Sequence, residues 1–285
     1  MKKATKGVTN AIPLLALLIP CVIGAFGMLF TQIPAHTYIV NIGAAIALGG
    51  LAMGLSRIQS KCSPALFVII GVGLLLLTFV GKGAEQVHRW INLGGLSLLS
   101  AMIVIPCCLA AFCDLLAKRQ STFVTVSMLL IGTILFLQPD ASQLTGFTLG
   151  CAVLLLQQKS RSWAAYLTVL GLLCLSVLSF FRLDGLEPVA HVEGILWLLK
   201  DVHPLLMVMG FLGVVLVPMP FLLLSQERIR TASVAYGLYF EAMILFSVVG
   251  NFPMPMLGFG VSPILGYCMF YAWFLYEKKN SPSTM

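Results

Sequence analysis

Charged side chains are scarce in this sequence: they make up 9% of its 285 residues, while 59% of the residues are hydrophobic. A soluble domain is about 45–50% apolar, so this chain has too few charges to cover the surface of a soluble fold. The sequence also lacks a P-loop and a GxGxxG fingerprint after a strand, which argues against ATP-driven transport by this chain. The composition therefore predicts a polytopic membrane protein.

Paired cysteine motifs and long polar stretches are absent as well. The eight cysteines form neither a CxxC pair nor a Cys/His zinc spacing, so they predict no metal site. Most of them lie in apolar runs, where cysteine packs as a small hydrophobic residue. The first apolar run lacks a small-x-small cleavage site and is expected to be an anchored helix. We expect a single integral membrane domain over residues 1–285.

Long apolar runs separated by polar or turn-forming breaks predict ten membrane-spanning helices. Helices are expected because every backbone polar group in lipid must be satisfied within its own segment. The predicted spans are 11–31, 38–55, 64–81, 97–117, 121–138, 143–157, 164–181, 204–224, 234–250 and 260–276. The predicted fold class is thus all-α, a polytopic bundle of about ten transmembrane helices.

The distribution of lysine and arginine predicts the orientation of the bundle. With both termini in the cytoplasm, only four of the 17 basic residues fall outside: Lys82, Arg89, Arg182 and Lys200. This bias follows the positive-inside rule. The net charge of +7 then reflects loops that favour anionic membrane lipids, and no nucleic-acid partner is predicted. We expect a multi-pass protein of the bacterial cytoplasmic membrane.

Two extracytoplasmic loops, 82–96 and 182–203, are expected to carry the function. The segment 182–204 gathers four acids, two bases and two of the four histidines between long apolar runs. In a chain so poor in charge, this concentration suggests chemistry. In the first loop, Trp90 is a natural interfacial anchor and Arg89 could hold a phosphate or a headgroup. An ordinary interfacial Trp-Arg pair is the alternative for that loop.

Two further connections carry turn-forming residues. After the fifth span, Asp140 in LQPDAS is placed to cap the next helix. Between the last two spans, residues 251–267 hold prolines and glycines that suggest a re-entrant or broken helix, with a simple hairpin loop as the alternative. Irregular backbone of this kind is tolerated in a membrane only where protein or a water-filled cavity surrounds it.

Four stretches, taken in order, resemble the SEDS family (shape, elongation, division and sporulation) of FtsW- and RodA-like peptidoglycan polymerases. HRWINLGG at 88–95 resembles the family's RRW-type loop, and LQPD at 137–140 matches the motif after its fifth helix. PVAHVEGIL at 188–196 is similar to PEAHTDFIF in the family's large loop. PMLGFGVSPIL at 255–265 is similar to its PFISYGGSSLL stretch before the tenth helix.

The resemblance implies ten helices around a central cavity and transfer of the glycan of lipid II onto a growing strand outside the membrane. It implies lipid II, or another undecaprenyl-diphosphate-linked glycan, as substrate. It also implies a class B penicillin-binding protein transpeptidase as partner, for cell division or cell shape. The family's essential acid is the aspartate of its HTD motif, and the matching residue here is Glu193.

A carboxylate at position 193 suits this chemistry. A general base that takes the proton of an attacking sugar hydroxyl contributes about 10²–10⁴-fold in rate, and we expect Glu193 to be that catalytic base. A solvated loop carboxylate, or a residue at the N-cap of the following helix, is the alternative. The leaving diphosphate needs positive charge. The expected substrate-binding residues are Arg89, Lys82, His191, Arg182, Lys200, Asp140 and Glu241.

Glu241 is an ionisable residue inside a predicted span, which is a functional-site hypothesis by default. It could bind a polar headgroup or relay a proton, or it could only hydrogen-bond neighbouring helices.

Two alternatives to polymerisation stay open: a flippase for a polyprenyl-diphosphate lipid, and a non-catalytic scaffold for a peptidoglycan synthase. No cofactor is predicted with certainty, and a divalent cation such as Mg²⁺ or Mn²⁺ is left open.

Overall fold

The structure is a computed structural model that describes residues 2–56, 63–81, 83–85, 87–158 and 162–280. For residues 2–9 and Arg228 only the backbone is described. The helices are α1 (Lys2–Phe30), α2 (Ala35–Leu55), α3 (Pro64–Leu77), α4 (Ser100–Ala117), α5 (Ser121–Leu137), α6 (Ala141–Leu156), α7 (Trp163–Ser179), α8 (Ile195–Val202), α9 (Pro204–Val215), α10 (Met219–Leu224), α11 (Glu227–Val249) and α12 (Val261–Asn280). A 3₁₀ turn, Thr78–Val80, extends α3, and the described strands are β1 (Trp90–Leu93) and β2 (Leu96–Leu99).

Length and composition identify the helices that can cross a membrane. In the described part of the chain, five helices are long and apolar enough: Asn10–Phe30, Ala35–Leu55, Ser100–Ala117, Pro204–Leu224 and Ile229–Val249. Shorter apolar helices are Pro64–Val80, Ser121–Leu137, Ala141–Leu156 and Trp163–Ser179. Each of the ten predicted spans overlaps one of the helices of the structure, so apolar run length is a good guide to helix position in this chain.

Several predicted spans differ from the helices of the structure, and two of the differences have a clear local cause. The fourth span was predicted from residue 97, but Leu96–Leu99 is the second strand of an antiparallel hairpin, and α4 begins only at Ser100. The eighth span, predicted as one helix, is divided into α9 and α10. Pro218 and Pro220 lie at this division, because proline has no N–H for the helical ladder and its ring clashes with the preceding turn.

The described residues form two compact units. The first unit comprises the described residues within 1–59, 187–230 and 243–285, and the second comprises those within 60–186 and 231–242. Helix α11 contributes residues to both units. The expected single domain stays a prediction.

In the first unit, α1 packs against α2, α8, α9 and α10, while α2 packs against α12. Glycine allows the closest approaches to α1. A Cβ at Gly24 would lie 2.0 Å from the Leu257 carbonyl oxygen, and one at Gly27 would lie 2.4 Å from the Leu199 side chain. Small residues allow helices in a membrane to pack this closely. Through Gly24 and Gly27, both α8 and the 250–260 connection pack directly against α1.

In the second unit, α3 packs against α4 and α5, and α6 packs against α4, α5 and α7. The part of α11 in this unit lies close to α6, where added Cβ atoms would meet backbone. At Gly146 the added atom would lie 2.9 Å from the Tyr239 carbonyl oxygen, and at Gly150 it would lie 3.1 Å from that of Ala235. The spacing of four residues puts both glycines on one face of α6.

Candidate functional site

Glu193 lies in a tight turn, residues 189–194, directly before α8. We call this segment the Glu193 turn. The Val189 carbonyl accepts the N–H groups of Val192, Glu193 and Gly194 at 3.0, 3.0 and 3.1 Å. Glu193 Oε2 in turn accepts the Val189 N–H at 2.9 Å. The carboxylate is therefore held against its own turn, at the start of a helix.

The connection between α11 and α12 supports this turn, and we call residues 253–260 the supporting segment. The Phe259 N–H donates to the His191 carbonyl at 2.8 Å, and the Met254 N–H donates to the Val192 carbonyl at 3.4 Å. A Cβ at Gly258 would lie 2.5 Å from the Val192 carbonyl oxygen, so this close approach needs glycine. The supporting segment is irregular backbone rather than helix.

Asn41 on α2 holds the supporting segment from the side of the bundle. Its Nδ2 donates to the Gly258 carbonyl at 2.9 Å, and its Oδ1 accepts the Gly260 N–H at 3.1 Å. Asn41 is 2% exposed. Sequence reasoning missed this residue, although an asparagine inside an apolar span is a visible signal.

His191 and Lys200 flank Glu193 in the same stretch of chain. The His191 ring packs against Phe259 with the centroids 6.1 Å apart. Burial lowers the pKa of His191, which favours the neutral imidazole. Lys200 is exposed in the last turn of α8, and its Nζ lies 5.4 Å from the Trp197 ring centroid.

Arg89, in the second unit, is buried among acceptors. Its Nε donates to the Gln138 carbonyl at 3.0 Å, and its Nη2 donates to the Pro139 carbonyl and to Asp184. Asp140 Oδ2 lies 3.8 Å from Nε. Only 5% of Arg89 is exposed. We call Arg89, Asp140 and Asp184 the arginine cluster.

Backbone bonds fix both sides of the arginine cluster. The Arg89 carbonyl accepts the Ser100 N–H at 3.1 Å, which ties the base of the hairpin to the start of α4. Asp140 caps α6 by accepting the Gln143 N–H at 3.3 Å, so the predicted capping role is confirmed. Burial raises the pKa of Asp140, and this effect exceeds the opposing ones of Arg89, the Gln143 N–H and Ser142.

Asp184 completes the cluster, and sequence reasoning did not assign it a role. Its Oδ2 pairs with Arg89, and its Oδ1 accepts the Leu186 N–H at 3.1 Å. In the sequence, Asp184 is one of four acids in the 182–204 segment, and nothing distinguishes it from the other three. The pairing joins positions 95 residues apart in the chain, and no short-range pattern encodes such a contact.

The other predicted binding residues lie elsewhere. Arg182 is exposed, and its guanidinium carbon lies 4.8 Å from the Phe136 ring centroid. Lys82 lies outside the described residues. Glu241 is half-buried on α11 in the second unit. Its Oε1 is buried and has no hydrogen-bond partner among the described residues.

Near Glu241 in the sequence, Tyr239 makes a buried contact to α6. Its hydroxyl donates to Gln143 Oε1 at 2.8 Å, and the Gln143 Nε2 atom is buried without a partner in the part of the chain that the structure describes. Polar groups of this kind inside a bundle are costly unless satisfied, and they mark functional positions in membrane proteins.

The described residues contain no ready-made set of metal-binding side chains. Among them, no group of three or more histidine, cysteine, aspartate or glutamate side chains could hold one. The two carboxylates that do converge, Asp140 and Asp184, have the Arg89 guanidinium between them.

The four stretches of the family resemblance meet in two pairs. Within the first unit, 188–196 hydrogen-bonds to 255–265 through the Glu193 turn and the supporting segment. Within the second unit, 88–95 hydrogen-bonds to 137–140 through Arg89. Glu193, His191 and Lys200 share one stretch of the first unit, and Arg89 and Asp140 share the cluster of the second.

No family model and no curated protein matches this sequence. Among solved structures, the chain is similar to the crystal structure of an Asp-to-Ala mutant of the rod shape determining protein RodA from Thermus thermophilus. The TM-score is 0.67 at 14% sequence identity, and the match covers 95% of this chain and 97% of that chain. The chain therefore has the fold of a polytopic helical membrane protein, and the predicted all-α class is confirmed.

Proposed function

We propose that this protein is a SEDS-like peptidoglycan glycosyltransferase. It polymerises the glycan of lipid II at the outer face of the bacterial cytoplasmic membrane, for cell shape or division. The observation that supports this most is the pairing of 188–196 with 255–265, because it holds the predicted base on a built support. The likeness of the fold to RodA, a rod shape determining protein, is consistent with the proposal.

Glu193 acts in this proposal as the general base. Its carboxylate takes the proton of an acceptor sugar hydroxyl while that oxygen forms a bond to the anomeric carbon. The bond from the anomeric carbon to the diphosphate oxygen breaks, and the diphosphate leaves with the bonding electrons. A base contributes about 10²–10⁴-fold in such a reaction. The turn holds the carboxylate in place through the Val189 N–H.

Positive charge for the leaving diphosphate comes first from exposed residues. Lys200 and Arg182 are exposed, and Lys82 is proposed for the same role. Asp184 occupies the Arg89 Nη2, so a phosphate that binds this nitrogen displaces Asp184. We therefore propose that Arg89 and Asp140 bind substrate through such an exchange. The neutral imidazole of His191 orients a hydroxyl group rather than attracting the anion.

Glu193→Gln tests the enzymatic proposal, since the amide keeps the shape of the side chain and removes the base. Purified protein with its class B penicillin-binding protein partner is expected to make polymer from lipid II, and the variant is expected to make none. Glu193→Asp keeps a carboxylate and introduces the residue that the SEDS family has at this position, so it is expected to retain activity. Asp201→Asn, which removes an exposed acid of the same segment, serves as the control.

A wild type that makes no polymer, or a Glu193→Gln variant that makes as much as the wild type, contradicts the enzymatic proposal. The unpartnered Glu241 oxygen favours one second candidate, a flippase for a polyprenyl-diphosphate lipid. A flippase loses lipid transport in Glu241→Gln and tolerates Glu193→Gln. A scaffold that only recruits a synthase tolerates both changes.

A further inference from the structure

We propose that Asn41 is a positioning residue for Glu193: it holds the Gly258–Phe259 peptide group, which in turn holds the Glu193 turn. This inference rests on the proposed function for its catalytic consequence. All of the contacts involved lie in the first unit. Asn41 is on α2, 217 residues from Gly258 along the chain, and it is distinct from the residues predicted to touch the substrate.

One peptide group connects Asn41 to the turn. The carbonyl of Gly258 accepts from Asn41 Nδ2 at 2.9 Å, while the N–H of the same peptide, on Phe259, donates to the His191 carbonyl at 2.8 Å. A trans peptide is planar, with its C=O and N–H pointing in opposite directions. Fixing the carbonyl from one side therefore also fixes the direction of the N–H that reaches His191.

Asn41 makes a second hydrogen bond to the supporting segment, so the segment cannot rotate about a single contact. Its Oδ1 accepts the Gly260 N–H at 3.1 Å. The two bonds lie on either side of Phe259, so the residue that contacts His191 is held at both of its peptide links. The asparagine amide offers both a donor and an acceptor at the tip of a short side chain.

Other contacts hold the supporting segment at different points, so the unit does not depend on Asn41 alone. The Ser247 hydroxyl donates to the Pro253 carbonyl at 2.9 Å. Leu257 packs against α1 at Gly24, where the absence of a Cβ leaves room for the Leu257 carbonyl. Removal of the Asn41 amide frees the peptide next to His191 while these contacts keep the segment in the bundle.

The catalytic consequence follows from the short path between His191 and Glu193. The two residues belong to one turn closed on the Val189 carbonyl, so a shift of the His191 carbonyl moves the carboxylate. Misplacement of a reacting group by about 1 Å can cost about 10²-fold in rate. We expect Asn41→Leu to lower kcat for lipid II polymerisation about 10- to 100-fold with little change in KM.

Two further variants separate positioning from general stability. Asn41→Asp keeps an acceptor for the Gly260 N–H but turns a carboxylate oxygen toward the Gly258 carbonyl, so it is expected not to rescue kcat. Tyr267→Phe is the matched control. It removes a buried hydroxyl that donates to the Pro13 carbonyl at 2.7 Å in the same unit, and it leaves the supporting segment untouched. It is expected to keep the wild-type kcat.

Hydrogen–deuterium exchange of the purified protein provides a readout that does not require catalysis. Asn41→Leu is expected to exchange faster than wild type in peptides that cover 189–194 and 253–260, while Tyr267→Phe matches wild type there. Unchanged exchange in Asn41→Leu overturns the inference, as does an equal loss of kcat in both variants. A wild type without polymerase activity overturns the proposed function, and the exchange pattern still decides whether Asn41 holds the turn.

Discussion

The carboxylates of the two sites have different binding partners. In the second unit, Asp140 and Asp184 are directed at one buried guanidinium, whose charge they neutralise. In the first unit, Glu193 stands before a helix, and backbone hydrogen bonds fix its turn. Under the proposed function, the base is the carboxylate that backbone hydrogen bonds hold, and not one that faces a buried guanidinium.

The physical reason for this contrast is the cost of burying charge. A buried ion pair is retained only when geometry and additional hydrogen bonds offset desolvation, and Arg89 satisfies this condition with two backbone carbonyls and two carboxylates. The arginine cluster joins the hairpin, the α5–α6 connection and the start of the 182–203 loop. The Glu193 carboxylate accepts the Val189 N–H within its own turn.

Loss of the cation is expected to have the largest effect on stability. Arg89→Met leaves Asp140 and Asp184 without their buried counter-charge, and breaking a buried pair costs about 3–5 kcal/mol. Thermal unfolding in detergent measures the loss. Arg182→Met, which removes an exposed guanidinium that lies over Phe136, is the control and is expected to cost no more than about 1 kcal/mol. Equal losses in both variants would contradict a structural role for the cluster.

A smaller effect is expected where the supporting segment touches the Glu193 turn. Gly258→Ala brings a Cβ to 2.5 Å from the Val192 carbonyl oxygen, and forcing extra atoms into a packed site costs about 1–3 kcal/mol. We also expect slower polymerisation, because the turn must shift. At Gly260 the nearest atom to an added Cβ is 3.7 Å away, so Gly260→Ala should leave the unfolding temperature nearly unchanged. Similar behaviour of the two alanine variants would refute the close-contact argument.

Within the arginine cluster, the two acids are expected to differ. Asp184→Asn weakens the direct ion pair and should cost about 1–3 kcal/mol. Asp140 is farther from the guanidinium at 3.8 Å, and asparagine is also a good N-cap, so Asp140→Asn should cost less. The unfolding temperatures of the two variants in one detergent check the order, and a larger loss in Asp140→Asn would reverse it.

The smallest predicted effect is a pH dependence at Asp140. Burial raises the pKa of this carboxyl, so ionising it in the folded protein costs stability. That cost is absent below the ordinary carboxyl pKa, grows as the pH rises from that value to the raised one, and is constant above it. Asp140→Asn carries no such cost, so its stability relative to wild type should increase with pH. A difference that is constant with pH would contradict the raised pKa.

The helices were largely predictable because lipid selects for apolar runs whatever the tertiary contacts are. The errors lie where local composition is ambiguous. LSLL at 96–99 is apolar enough to look like the start of α4, yet it pairs with Trp90–Leu93 as a strand. The short helix Ile195–Val202 was predicted only as loop, because a few turns inside a charged segment do not form a membrane-length run.

The candidate site was less predictable, since its support comes from distant parts of the chain. The capping role of Asp140 was visible because its partner is three residues away. The bond from Asn41 to Gly258 and the pair of Arg89 with Asp184 span long stretches of sequence. Such contacts depend on how helices pack, and neither propensity nor spacing encodes them.

The most direct test of the account compares polymerisation of lipid II by Glu193→Gln and Arg89→Met, each with the partner transpeptidase and each normalised to folded protein. We expect Glu193→Gln to keep the wild-type unfolding temperature and to make no glycan strands. We expect Arg89→Met to lose stability and, per folded molecule, to polymerise lipid II with a higher KM, because a substrate-binding guanidinium is lost while the base remains. Strand formation by Glu193→Gln at the wild-type rate would contradict the account.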